Sequence, residues 1–341
     1  MFKKIVNSIQ CCFSFFSFYQ KGKRKMIDEL IGNTPMVKIK YRYQNKIRYV
    51  YVKLEYYNYT GSIKDRVAYY IINKSKELGL LKDGQAIVEA TSGNTGISFA
   101  AIGAYFHHPV HIFMPDWVSK ERIEIMKLYG AHVYLVSKEE GGFGEAIRKS
   151  KELALEIDGF LPKQFENTLN LEAHYLGTAK EIIEQLPEVD AFVSGVGTGG
   201  TLMGVAKRLK EYNKNISIIA LEPEKMPLLS GGNIIGNHKI EGIGDDFIPD
   251  LVDQSLIDRI VLIHDEDAIN MSRLLAKKIG LGVGISSGAN FLASVLTEGE
   301  AVVTVFADDA KKYLSTELTD NIDSNPKYLS NQIELLDLEE I

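Results

Sequence analysis

Ser194–Thr201 reads Ser-Gly-Val-Gly-Thr-Gly-Gly-Thr, four glycines and two threonines between a short apolar run and an amphipathic one. Glycine lets successive backbone N–H groups converge on an anion, and a helix that follows adds the positive end of its dipole. No Gly-Lys-Ser/Thr follows, so this is not a Walker A loop. It reads as a cradle for one monophosphate. A glycine-rich turn without a ligand is the alternative, but such a turn costs backbone entropy with no return. Thr91–Gly96, TSGNTG, is a second polar loop at a strand-to-helix junction. Its side chains and backbone donors suit a carboxylate, although the same string also serves as a plain helix N-cap. Lys64 lies in GSIKDR near the start of a predicted helix. There its ammonium meets the positive end of the dipole, which lowers its pKa and frees the amine for a Schiff base. The competing reading is a solvated surface lysine paired with Asp65.

Other chemistries find less support. None of the seven histidines belongs to a His-Glu-x-x-His motif, and His174 on a helix face reads as a packed or hydrogen-bonded core residue. GISSG at Gly284–Gly288 has the look of a nucleophile elbow, but no His–Asp partner is apparent. Trp117 and the tyrosines near Tyr56–Tyr59 are candidates for a cleft wall or for ordinary core and surface positions. The only cysteines are Cys11 and Cys12, which excludes disulfides, a thiolate-held zinc and a catalytic cysteine from the chain beyond Met26. This fits a reducing, cytoplasmic setting. Lys and Arg number 39 against 45 Asp and Glu, a formal net charge of −6, so nothing supplies the concentrated positive charge of a nucleic-acid binder. No apolar run is long enough for a membrane span.

Positioning these loops requires a large α/β chain. With 341 residues, 45% hydrophobic and 25% charged, about two globular domains are expected. Strands are predicted at Ile47–Glu55, Ala86–Glu89, Val110–Met114, His132–Val136, Ala191–Ser194, Ser217–Glu222 and Ala301–Phe306. Helices are predicted at Ser62–Gly79, Ile97–Tyr105, Lys120–Tyr129, Gly144–Ile157, Asn170–Leu186, Thr201–Tyr212 and Asp265–Lys278. That alternation implies two open, mostly parallel twisted sheets with helices on both faces. Residues 1–25 have a basic start and an apolar stretch but no cleavage pattern. They read as a disordered extension, or as a start placed upstream of Met26, rather than a signal peptide. The tail 320–341 is acidic and ends in an apolar–acidic pattern at Ile333–Ile341, read as a peripheral helix or a frayed end.

In order along the chain stand IGNTP (Ile31–Pro35), GSIKDR (Gly61–Arg66), TSGNTGI (Thr91–Ile97), SKER (Ser119–Arg122), QFEN (Gln164–Asn167), GVGTGGT (Gly195–Thr201), GIG (Gly242–Gly244), GISSG and KYLS (Lys312–Ser315). On these strings the chain resembles the cysteine synthase / cystathionine β-synthase family, the fold-type II pyridoxal-phosphate enzymes built like the tryptophan synthase β-subunit. The resemblance covers about residues 28–319. It implies that Lys64 binds pyridoxal 5'-phosphate as an internal aldimine and that Gly197, Thr198, Gly199, Gly200 and Thr201 hold the cofactor phosphate. It implies further that Asn94 partners the ring hydroxyl oxygen, Ser286 the pyridine nitrogen, and Thr91, Ser92, Thr95 and Gln164 the substrate carboxylate. A homodimer is implied, with a small mobile domain at 59–165 and a large domain made of 26–58 and 166–319. A serine at the pyridine nitrogen makes a weaker electron sink than an aspartate, which favours β-elimination to an aminoacrylate. Lys64 then serves as the base for the α-proton.

Two positions depart from the family pattern. Asn58-Tyr59 stands where Asn-Pro is usual, and GIGDDF stands where synthases carry GIGAGF and the cystathionine type GIGYDF. Asp245 therefore replaces a small or aromatic residue. A carboxylate there would repel bisulfide but could activate water or hold a second amino acid's ammonium. Two activities follow as expectations: cysteine synthesis from O-acetylserine and sulfide, or breakdown of cysteine to hydrogen sulfide with serine or lanthionine as product. A regulatory paralogue without chemistry is the non-enzymatic alternative, against which the retention of Lys64 and the full glycine loop argues.

Overall fold

The computed structural model describes residues 26–320 and 325–341; the reading of residues 1–25 falls outside them. Two sheets organise the chain. The first strand pair is β1 (Met36–Tyr43) and β2 (Lys46–Leu54), antiparallel from Met36↔Lys53 to Tyr43↔Lys46. Three strands of a small parallel sheet follow: β3 (Ile87–Ala90), β4 (Val110–Pro115) and β5 (His132–Val136). The chain then returns to the large sheet with β6 (Ala191–Gly195), β7 (Ser217–Pro223), β8 (Arg259–Ile263), β9 (Val302–Phe306) and β10 (Glu334–Glu340). The order is β10-β1-β2-β9-β6-β7-β8, parallel from β2 to β8. All five residues of β9 are buried and all are Val, Thr or Phe, as expected for a strand covered on both faces.

The helices are α1 (Lys64–Glu77), α2 (Asn94–Tyr105), α3 (Lys120–Leu128), α4 (Gly142–Glu156), α5 (Thr168–Ala173), α6 (Ala179–Gln185), α7 (Gly200–Tyr212), α8 (Asp265–Ile279) and α9 (Ile285–Val295). In α1, Val67, Ala68, Ile71, Ile72 and Ser75 form the buried stripe, and Gly79 at φ +71° stops the helix. Among the described residues no helix is long and apolar enough to cross a membrane.

Several elements differ from the sequence-based expectations. The tail is neither a helix nor a frayed end: Glu334–Glu340 is an edge strand, antiparallel to β1. Its acidic residues meet the basic edge of β1, with Lys38 and Lys40 3.5 and 3.6 Å from Glu339 and Arg42 paired with Glu334. That cross-strand complementarity is visible only once β1 is in place. The helix expected over Asn170–Leu186 is interrupted by a π turn at His174–Thr178. Gly177 lies in that turn against the Arg66 guanidinium, 3.2 Å from where a Cβ would stand. Strands β1 and β8 and helix α9 are additional to the predicted elements. All eleven residues of α9 are buried, and its polar positions, Ser286, Ser287, Asn290 and Ser294, are small or lie inside the protein, so it has no charged solvent face to announce a helix.

Candidate active site

Lys64 is placed by its neighbours on the large sheet. Ser62 bridges to Asp308, and Ile63 N–H donates to Ala307 O at 2.9 Å, just beyond the end of β9. The segment is thereby tied to the carboxyl end of a central strand, and Lys64 opens α1 at the wall of a cleft of about 820 Å³, counted to its open mouth. Open parallel sheets bind ligands at such strand ends. Burial lowers the Lys64 pKa to about 8, partly opposed by the negative charges of Asp245 and Asp308. The shift has the expected direction, but burial is its leading cause.

The cleft is lined by Thr91, Ser92, Asn94, Thr95, Gln164, Gly197, Thr198, Gly199, Thr201, Asp245 and Ser286 as well as Lys64. One sequence-predicted site residue does not line it. Gly200 instead packs on α5, where a side chain would collide with the Asn170 amide. Thr95 Oγ1 donates to Gln164 Oε1 at 2.7 Å, and Gln164 Nε2 donates to Ala90 O at 2.8 Å, so the TSGNTG loop and Gln164 form one unit. Asn94 is held between Asp308, which accepts from Nδ2 at 2.7 Å, and Lys312, which donates to Oδ1 at 3.0 Å. Ser286 lies in the first turn of α9 and is buried.

The glycine loop is built for close backbone approach. A Cβ on Gly197 would run into Gly242 O, and Gly199 sits at φ +82° with Val252 Cγ2 2.7 Å from its Cβ direction. The same contact explains Asp245. Gly244, at φ +71°, donates its N–H to Val196 O at 2.9 Å, which folds the GIGDDF turn over the glycine loop and brings Asp245 into the cleft. Burial raises the Asp245 pKa to about 6, with Asp246 adding to the rise and Lys64 opposing it.

Some site residues were not singled out from sequence. Asn290 on α9 accepts from Gly195 N–H at 2.8 Å and donates to Val305 O at 2.8 Å, stitching the start of the glycine loop to β9. A lone amide in an apolar run was the available signal. Arg122, buried on α3, pairs with Glu241 and donates to Tyr313 OH at 2.7 Å, and both members of the ion pair line the cleft. Trp117 is 48% exposed and Tyr56 stacks on Tyr57, and neither lines the cleft. His174 is the packed, hydrogen-bonded core residue expected.

A glycine cradle that no side chain could occupy, a lysine with a lowered pKa in the same cleft and polar groups on the facing wall fit pyridoxal phosphate. Residues 27–308 match the family described as pyridoxal-phosphate dependent enzymes, and the chain belongs to it. Cysteine synthase of Staphylococcus aureus is 44% identical over 299 residues, 86% of this chain and 96% of that one. A solved hydrogen sulfide-producing enzyme from Fusobacterium nucleatum is 48% identical with a TM-score of 0.88, covering 92% of this chain and 98% of its own. An O-acetylserine dependent cystathionine β-synthase from Helicobacter pylori is 39% identical with a TM-score of 0.79, covering 87% and 99%. These relatives set the chain among the fold-type II enzymes of the cysteine synthase / cystathionine β-synthase type, with pyridoxal phosphate as cofactor and β-replacement as its general chemistry.

Proposed function

We propose that the enzyme takes L-cysteine as its first substrate and releases hydrogen sulfide, with water or a second cysteine completing the replacement. Asp245 carries this reading, because its carboxylate shares the cleft with Lys64 where sulfide would have to enter as an anion. The hydrogen sulfide-producing relative supports it. Pyridoxal phosphate supplies the electron withdrawal that labilises the substrate α-proton and β-substituent. Lys64 and Ser286 would hold its ring, Asn94 would partner the ring oxygen, and the Gly197–Thr201 loop would hold its phosphate. Thr91, Ser92, Thr95 and Gln164 fix the substrate carboxylate. The Lys64 amine removes the α-proton as the Cβ–S bond breaks and returns it at the end. Asp245 takes the proton from the incoming water or thiol as the new Cβ–O or Cβ–S bond forms. The net change is cysteine plus water to serine plus hydrogen sulfide, or two cysteines to lanthionine plus hydrogen sulfide. We place the mobile unit at 59–165, closing on the rest of the chain, in a homodimer.

Cysteine synthesis from O-acetylserine and sulfide is the second reading, favoured by the Staphylococcus relative. One variant separates the two. Asp245→Asn keeps shape and removes charge. Hydrogen sulfide release from cysteine is expected to fall by about 10²–10⁴, the range for a lost general base. Cysteine formation from O-acetylserine and sulfide is expected to hold or rise, since bisulfide no longer meets a carboxylate. Unchanged cysteine consumption removes Asp245 from the reaction, and a parent enzyme that forms cysteine from O-acetylserine and sulfide but releases no hydrogen sulfide from cysteine leaves only the synthase reading.

A further inference from the structure

Asn170 on α5 and His174, one turn later at the start of the π turn, face the two threonines of the glycine loop. Asn170 Nδ2 donates to Gln164 O at 2.9 Å and to Thr198 Oγ1 at 3.0 Å. A carbonyl can only accept, so the contact with Gln164 fixes the amide with its NH₂ side toward both partners. Thr198 Oγ1 also accepts from Gly200 N–H at 3.3 Å. With two donors on its oxygen, the Thr198 hydroxyl proton is left to point elsewhere, and Thr198 lines the cleft.

His174 does the same for Thr201. Its ring is fully buried, with Nδ1 3.0 Å from Thr178 Oγ1 and Nε2 3.2 Å from Thr201 Oγ1. Burial, with the nearby positive charges of Lys64 and Arg66, holds its pKa well below the ordinary value, so the ring is neutral. One nitrogen then donates and the other accepts. With the proton on Nδ1, Nε2 would accept the Thr201 O–H and turn it away from the cleft. With the proton on Nε2, Thr178 O–H serves Nδ1, Nε2–H serves Thr201 Oγ1, and the Thr201 O–H is free to donate to an anion. Helix α7 comes this near only because Gly200 and Gly204 face α5. A Cβ at 204 would stand 2.8 Å from His174 Cβ and collide with Leu171 O.

We propose that Asn170 and His174 are positioning residues that aim the hydroxyl protons of Thr198 and Thr201 into the phosphate cradle. Anion binding and the Nε2–H form of His174 then stabilise each other, because linkage is reciprocal. The inference rests on reading Gly197–Thr201 as the cradle.

The test is the dissociation constant of pyridoxal phosphate from the full-chain holoenzyme, by equilibrium dialysis read from visible absorbance. A hydrogen bond to a charged phosphate is worth about tenfold or more in affinity. Thr201→Val and His174→Phe should each weaken retention about tenfold, and the double variant about as much as either alone. His174→Gln, whose amide N–H can replace Nε2–H, should recover most of the loss. In the unmutated holoenzyme, imidazole ¹⁵N resonances should place the His174 proton on Nε2. A double variant showing the product of the two single effects overturns the proposal. So does a proton on Nδ1, or a His174→Phe enzyme that melts earlier yet holds the cofactor as tightly as the parent. A Thr201→Val enzyme with unchanged retention overturns the cradle reading, and this proposal with it.

Discussion

Lys64→Ala lowers turnover by at least about a thousandfold, within the range expected when a general base is removed. The reason lies in the position of the amine. At about 8, the Lys64 pKa leaves about a quarter of the amine uncharged at pH 7.5, against about one part in 800 for a lysine at about 10.4. Burial in the cleft wall produces that fraction, and the carboxylates of Asp245 and Asp308 keep it from rising further. In the parent, the cofactor-free amine should titrate near pH 8, measurable as pH-dependent labelling of Lys64 by an amine reagent. Lys64→Arg should be as inactive as the alanine variant, because a guanidinium stays charged. Steady-state assays with cysteine, and with O-acetylserine plus sulfide, check both variants. An alanine variant retaining a tenth of the parent's rate would take Lys64 out of the chemistry.

Arg66→Met is expected to destabilise the fold by about 3–5 kcal/mol, the cost of breaking a buried ion network by removing one member. Arg66 lies two residues beyond Lys64 and is buried between Glu55, at 2.7 Å, and Glu181, at 2.6 Å. Lys53, fully buried, completes the group at 2.6 Å from Glu181. Two positive and two negative charges balance, and Thr34 and Asn58 cap the remaining Glu55 oxygen positions. Loss of Arg66 leaves one buried negative charge uncompensated. A shift in denaturant midpoint measures the effect. Adding Glu181→Gln to Arg66→Met should return part of the loss, because Lys53 and Glu55 then balance each other. Acid exposes the same network. Burial alone would raise the Glu181 pKa, but the hydrogen bonds and charge of Arg66, with Lys53, hold it at about 2. A depressed carboxyl pKa stabilises the fold above its unfolded value of about 4.3, and that contribution is lost as pH falls toward 2. In Arg66→Met the acid transition should therefore begin at higher pH. A loss below about 1 kcal/mol would show that the network does not hold the start of α1.

Asn58 belongs to that network, and it shows why a local reading of Asn58-Tyr59 reached only loop stiffness. Its side chain accepts from Gly32 N–H at 2.8 Å and donates to Glu55, contacts 26 and 3 residues away in sequence. The amphipathic elements were legible because each carries its own period: α1 through Val67, Ile71 and Ile72, and α8 through Ile269 and Leu275. Helix α9 was not, because all of its residues are buried and its polar positions Ser286, Asn290 and Ser294 lie inside the protein rather than toward solvent, and β10 was not, because its acidic–apolar pattern acquires meaning only beside Lys38, Lys40 and Arg42.

The residue strings by themselves determined the family, the cofactor and the glycine loop, since phosphate binding needs backbone freedom at consecutive positions and such strings carry that requirement locally. Which way Asp245 faces was decided only by the tertiary structure. It depends on Gly244 reaching Val196, 48 positions earlier in the chain, and on burial that no window of sequence contains. The lowered pKa of Lys64 divides along the same line. The dipole argument pointed in the right direction, but the desolvation that dominates it comes from the walls of the folded cleft.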